Sequence, residues 1–216
     1  DKLVTGVQTC ALPIFQNMFW VEAGKYNVLP LDNRGITRAL DGGRPGLNEG
    51  RTSFTFYPGT VRVPLGTAPD IKNKSYTITA IIDIPKEGAD GMIVNQGDRF
   101  GGWGLYMMDS KPVFLYNLAN QVRYTIMSDE KILPGHVTVT FDFKYDGGGA
   151  GKGGNGILSI NGKKVGEGRI EQTMGFFFPL EGGFDIGEDC SAPLVETYES
   201  PFKFTGTIEK VVIDLK

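Results

Sequence analysis

Two stretches set the expectation for the fold. In "SYTITAIIDIP", residues 75–85, Tyr76, Ile78, Ala80, Ile82 and Ile84 alternate with Thr77, Thr79 and Asp83, and Ile81 is the one apolar residue on the polar side. In "HVTVTFDFKYD", residues 136–146, Val137, Val139, Phe141, Phe143 and Tyr145 alternate with Thr138, Thr140, Asp142 and Lys144. A period of two places one face in a core and the other toward water, as in half-buried antiparallel strands. Further strands are expected over residues 53–57, 91–96, 103–108, 113–117, 121–127, 156–160, 164–168, 175–180 and 205–215. Turn pairs separate many of them: Asp109-Ser110, Pro134-Gly135 and Asn161-Gly162. Roughly ten short strands with no helical period between them predict a sandwich, not a doubly wound sheet.

A different pattern precedes the strands. Phe15, Met18, Phe19, Ala23 and Tyr26 fall three or four apart, with Trp20 and Val21 beside them. That spacing predicts a short amphipathic helix over residues 15–26. Gly24 weakens its last turn and Pro30 stops any continuation. Residues 27–50 have no sustained period and many glycines, and read as a connector.

Composition narrows the function. The 216 residues suffice for one sizeable core, and the 31 glycines suit many tight turns. A net charge of −3, with both signs mixed along the chain, gives no footprint for nucleic acid or an anionic membrane. No apolar run is long enough to span a bilayer, and no signal peptide is visible. Two cysteines, Cys10 and Cys190, make no disulfide framework. Residues 4–14, "VTGVQTCALPI", resemble the one-frame translation of a common sequencing adapter. Residues 1–14 are therefore set apart from the fold as non-biological. The natural gene is then expected to continue upstream of Phe15, and Cys10 is not a native cysteine.

The run "DGGGAGKGG", residues 146–154, looks at first like a phosphate-binding loop. That loop needs Ser or Thr after its lysine and a helix behind it. Gly153 follows Lys152, and two strands joined by Asn161-Gly162 come next, so the run reads as a strand connection. His136, the one histidine, precedes a strand without a nucleophile motif and reads as a surface residue. Cys190 has no base nearby in sequence and reads as inert. Glu167 with Glu171, and Glu188 with Asp189, are the carboxylate pairs a jelly-roll glycosidase could use, but neither matches that strand pattern. Asp185, Glu188 and Asp189 in "FDIGED" are oxygen donors of the type calcium takes, although the spacing suits a turn better. Trp103, Tyr106 and Tyr116 could stack on sugar rings if exposed, and belong to the core if not.

The segments "SYTITAIIDIP", "GGWGLYMMDSKPVFLYN" and "GILSINGKKVGEG" resemble the concanavalin A-like, laminin-G-type jelly roll, an all-β antiparallel sandwich. A closer resemblance runs from Phe15 to Lys216. "KYNVLPLDNR", "FTFYPGTVRVPLGTAPDIKNKSYTITA", "NQGDRFGGWGLYMMDSKPVFLYN" and "PFKFTGTIEKVVIDL" together are similar to the C-terminal part of bacterial arylsulfatases. The resemblance implies that residues 15–50 are the tail of a catalytic domain with a connector, and that residues 51–216 are its accessory sandwich. It implies a calcium ion and a formylglycine in the absent catalytic domain, and a periplasmic or secreted location. The formylglycine arises from a C/S-x-P-x-R motif, which this chain lacks. In "CSAPLV", Pro193 is in register for Ser191, but Val195 stands where the arginine belongs. No catalytic, cofactor-binding or metal-binding residue is therefore carried over, and the chain alone is expected to be inactive. Its expected partners are the missing catalytic domain and a glycan or sulfated substrate. The alternative is a lectin-like, carbohydrate-binding module.

Overall fold

The computed structural model describes residues 2–26, 28, 48–64, 66–176, 178 and 182–216, and the side chains from Ala11 onward. The chain forms two units, Asp1–Pro45 and Gly46–Lys216. In the first, helix α1 spans Lys2–Lys25, longer than the short helix the apolar spacing suggests. It runs through the adapter-like string and through Pro13, which cannot donate to the carbonyl of Thr9. Phe15, Met18, Phe19, Trp20, Val21 and Tyr26 are exposed and Ala23 is buried. Most of the connector expected over residues 27–50 lies outside the described residues.

The second unit is a sandwich of two sheets. Its strands are β1 (Ser53–Phe56), β2 (Tyr76–Ile84), β3 (Gly91–Asp98), β4 (Gly101–Met108), β5 (Lys111–Leu118), β6 (Val122–Met127) and β7 (Gly135–Tyr145). They continue as β8 (Gly154–Ile160), β9 (Lys163–Ile170), β10 (Phe184–Ile186), β11 (Glu188–Asp189), β12 (Phe202–Lys203) and β13 (Thr207–Leu215). One sheet runs β1-β13-β2-β7-β8-β9; the other runs β11-β12-β3-β4-β5-β6, with β10 also on β3. Apart from the short parallel contact of β12 with β3, the pairs are antiparallel. The chain is thus an all-β, concanavalin A-like jelly-roll sandwich with an amino-terminal helix.

The alternation read from the sequence sets the inner face. Tyr76, Ile78, Ala80, Ile82 and Ile84 of β2 are buried, as are Val137, Val139, Phe141 and Phe143 of β7. Phe114 of β5 stacks on Phe141 of β7 with ring centres 3.5 Å apart, which ties one sheet to the other. Asn161-Gly162 closes the β8–β9 hairpin with φ of 48° and 79°, the mirror-image turn whose second position glycine fills without strain. Asp109-Ser110 closes β4–β5 with φ of 52° and 60°.

One expected strand is not found. Gly175, Phe176 and Phe178, the described residues of the strand expected over 175–180, are not in a strand. Pro134-Gly135 separates β6 from β7 as expected, with Gly135 opening β7 opposite Ile84. The short strands β10, β11 and β12 were not expected, since two or three residues carry no measurable period.

The candidate site at the loop rim and the covered sheet face

Strands β3, β4 and β5 are buried along nearly their whole length, not at every second residue. Their inner side chains, among them Trp103, Leu105, Phe114 and Tyr116, meet the other sheet. Their outer side chains, Met92, Tyr106, Val113 and Leu115, pack against Leu194 and Tyr198. Residues 190–201 therefore form a strap over the outer face, leading into β12 at the sheet edge. Gly104 allows this approach: a Cβ there would meet Leu194 Cδ1 at 2.8 Å and the Met92 sulfur at 3.2 Å. Ring contacts of Tyr198 with Phe202 (4.4 Å) and with Tyr106 (5.8 Å) close the packing.

The aromatic residues singled out in the sequence are thus core residues. Trp103 is fully buried, and its indole N–H donates to Gln96 Oε1 at 3.0 Å. The Tyr116 hydroxyl accepts from the Met174 N–H at 2.8 Å. Neither ring is available to a sugar from solvent.

What faces solvent is the loop rim at one end of this sheet, and a single buried amide organises it. Asn117 Nδ2 donates to the carbonyls of Arg99 (2.9 Å) and Leu194 (3.0 Å), while its Oδ1 accepts from the Asn120 N–H (2.9 Å). Asp98 Oδ1 accepts from the Phe100 N–H at 2.7 Å. The β3–β4 turn, the β5–β6 turn and the strap are so fixed relative to one another. They present the ring of Phe100, 56% exposed, next to Arg99. Arg99 and Arg123 reach the same carboxylate oxygen, Glu196 Oε1, at 3.7 and 3.0 Å. Arg123 also donates to Asn120 Oδ1 at 2.8 Å. Two guanidinium groups and an apolar ring thus share the rim, with the carboxylates of Glu196 and Asp98 beside them. Sequence reasoning missed this set; buried Asn117 gives no periodic signal, and Arg99 and Arg123 look like ordinary surface charges.

The other candidates separate. In the glycine loop, the N–H groups of Gly151 and Lys152 donate to Asn73 Oδ1 and the Tyr145 hydroxyl, both at 2.8 Å. Donors that a phosphate would need are already used, and the loop joins β7 to β8. His136 is exposed and hydrogen-bonds through Nδ1 to Asp83 at 3.1 Å. Glu167 pairs with Lys164, and Glu171 with Arg169, both in solvent. Glu188 and Asp189 point differently: Glu188 lies near Lys203, whereas Asp189 is buried, with Oδ2 accepting from the Tyr198 hydroxyl (2.6 Å) and Oδ1 from the Ser191 N–H (3.1 Å). Burial pushes the Asp189 carboxyl up to about 6, and Asp185 adds to the effect. Burial, then Asp185 and Glu188, push the Cys190 thiol up to about 11, so a thiolate is scarce at neutral pH. Among the described residues, no three His, Cys, Asp or Glu side chains converge to hold a metal.

No family model matches the chain, and no curated protein matches it. Among solved structures, the CBM40 module of a Ruminococcus gnavus IT-sialidase bound to alpha2,3 sialyllactose aligns with a TM-score of 0.48 at 16% identity, over 76% of this chain and 89% of that one. A leech intramolecular trans-sialidase aligns with a TM-score of 0.48 at 14% identity, over 76% of this chain and 25% of that one. Domains LG4-5 of the mouse laminin alpha1 chain align with a TM-score of 0.46 at 12% identity, over 75% of this chain and 41% of that one. At identities of 12–16% the likeness is one of fold.

Proposed function

We propose that the sandwich is a non-catalytic, glycan-binding module whose ligand lies on the loop rim at Arg99, Phe100 and Arg123. The observation that supports it is the Asn117 network, which holds an exposed aromatic ring and two guanidinium groups in one fixed arrangement. A sugar offers C–H groups to an aromatic face and hydroxyl or carboxylate oxygens to a guanidinium fork. Fixing the donors beforehand lowers the ordering cost of binding. Burial of Trp103 and Tyr116 moves the ligand from the sheet face to its rim. Calorimetric titration against a panel of neutral and acidic oligosaccharides tests the proposal. At least one should bind, with Phe100→Ala and Arg123→Gln each weakening it about tenfold or more at an unchanged melting temperature. No binding by the wild-type chain to any member, or binding indifferent to both substitutions, would overturn it.

A second reading is favoured by a different observation. The apolar side chains of α1 from Phe15 to Tyr26 stand largely in solvent. Such a surface suits packing against a further domain. This agrees with the arylsulfatase resemblance, in which the sandwich is the accessory part of a larger hydrolase. Recovering the reading frame upstream of Phe15 tests it: a C/S-x-P-x-R motif supports it, and a frame without one removes it.

A further inference from the structure

Where β1 and β2 begin and β13 ends, the six-stranded sheet borders an open cavity of about 550 Å³ that neither reading uses. Its frame is tied by hydrogen bonds. The Leu215 N–H donates to the Thr52 carbonyl at 2.7 Å, and the Lys216 N–H to the Ser75 carbonyl at 2.9 Å. Asn48 Nδ2 donates to the Ala68 carbonyl at 3.0 Å. The apolar part of the lining is Phe54, 3% exposed, and Leu215. Arg51 lies over the Phe54 ring with its guanidinium carbon 4.9 Å from the ring centre. Stacking holds the guanidinium plane and leaves its N–H edge to a ligand. Among the described residues Arg51 makes no ion pair. Lys74 also lines the cavity, and its nearest carboxylate oxygen is on Asp70 at 3.9 Å. Asp70 has a closer partner in Lys72, and Lys216 is engaged by Asp142.

Two cations, Arg51 and Lys74, thus face one cavity whose carboxylate, Asp70, already has Lys72 as its partner. A carboxylate or a sulfate ester suits them, because a guanidinium fork grips two oxygens and an ammonium adds a point charge. The rest of the lining narrows the ligand. The Asp70 carboxylate repels a polyanion but accepts from hydroxyl groups, and the Thr52 hydroxyl both donates and accepts. The volume lies in the range of small-molecule clefts. We propose that this cavity binds one acidic sugar unit. Arg51 and Lys74 hold its carboxylate or sulfate ester, Asp70 and Thr52 its hydroxyls, and its C–H face rests on Leu215. The site shares no residue with the rim at Arg99, Phe100 and Arg123, and stands whether or not that rim binds a ligand.

The test is calorimetric titration of the whole chain with three probes: methyl glucuronide, glucose 6-sulfate and neutral methyl glucoside. At least one charged probe should bind with a Kd of about 1 mM or tighter, and the neutral one about tenfold more weakly or worse. The tighter of the two charged probes identifies the anionic group. Added salt should weaken its binding, since the site is open to solvent. Arg51→Ala and Lys74→Gln should each cost about tenfold in affinity, whereas Phe100→Ala should cost nothing here. If Arg51→Ala lowers the melting temperature through the lost stacking on Phe54, Lys74→Gln carries the test, because Lys74 covers no core ring. Charged and neutral probes binding alike, or neither charged probe binding at about 10 mM, would overturn the proposal. So would a charged probe whose affinity is indifferent to Arg51→Ala and Lys74→Gln. A loss on Phe100→Ala instead would assign that probe to the rim.

Discussion

Replacing Asn117 by alanine tests the central claim about the rim, that one side chain fixes three segments. The substitution removes four hydrogen bonds, the longest of them to the Asp98 carbonyl at 3.4 Å. The buried Leu194 carbonyl loses its closer donor and keeps only Arg123 Nε at 3.5 Å, a loss of about 1–3 kcal/mol. The Arg99 carbonyl and the Asn120 N–H are part-buried and can recruit water, so each loses about 0.5–1 kcal/mol. The expected total is about 3 kcal/mol. With a urea m-value near 2 kcal/mol/M, typical for a domain of this size, the midpoint should fall by roughly 1.5 M. The slope should stay constant, since the surface exposed on unfolding is the same. Ser53→Ala serves as the control: it removes an exposed bond to Asp214 on the other sheet and should change stability by less than about 0.5 kcal/mol. Urea unfolding followed by tryptophan emission suits the assay, because Trp103 is buried in the sandwich and Trp20 is exposed on the helix. Glycan affinity should fall in the folded variant as well, since the rim loses its fixed arrangement. A midpoint within about 0.3 M of wild type would refute the reasoning, for it would mean the three segments are held by packing of Leu194 alone.

Two further outcomes are expected. Burial opposes ionisation of Asp142, but hydrogen bonds from Lys216 and Thr77 outweigh it and hold the carboxyl below its ordinary value of 3.8. Its contribution is therefore present above pH 3.8 and lost as pH falls through the lower folded-state value; Asp142→Asn should be less stable than wild type at pH 7, and the difference should vanish in acid. Equal stability at pH 7 would remove the pair from the account. In amide exchange, α1 around residues 15–26 should exchange fast while β7 is strongly protected, and deleting residues 1–50 should reduce self-association without unfolding the sandwich. Equal protection of helix and strand, with a monomer at every concentration, would contradict this.

The sequence alone determined the faces of β2 and β7, because a strand buried on one side must alternate, and no other local structure has that period. It determined the turns at Asn161-Gly162 and Asp109-Ser110, because few residue pairs tolerate two consecutive positive φ values. From these the sandwich was legible. The sequence did not determine that β3, β4 and β5 are covered on both faces, since that depends on a strap roughly a hundred residues downstream folding back over them. The fate of Trp103, Tyr106 and Tyr116 followed from that covering and not from their own neighbours in the chain. Nor was α1 legible beyond residues 15–26, since its start carries no amphipathic spacing and contains Pro13. The candidate sites were least legible of all. Asn117 and Asn95 are buried polar residues in strands with long apolar runs, and in sequence they look alike. One satisfies three segments and the other satisfies none, a difference set by which loops tertiary packing brings within hydrogen-bond reach.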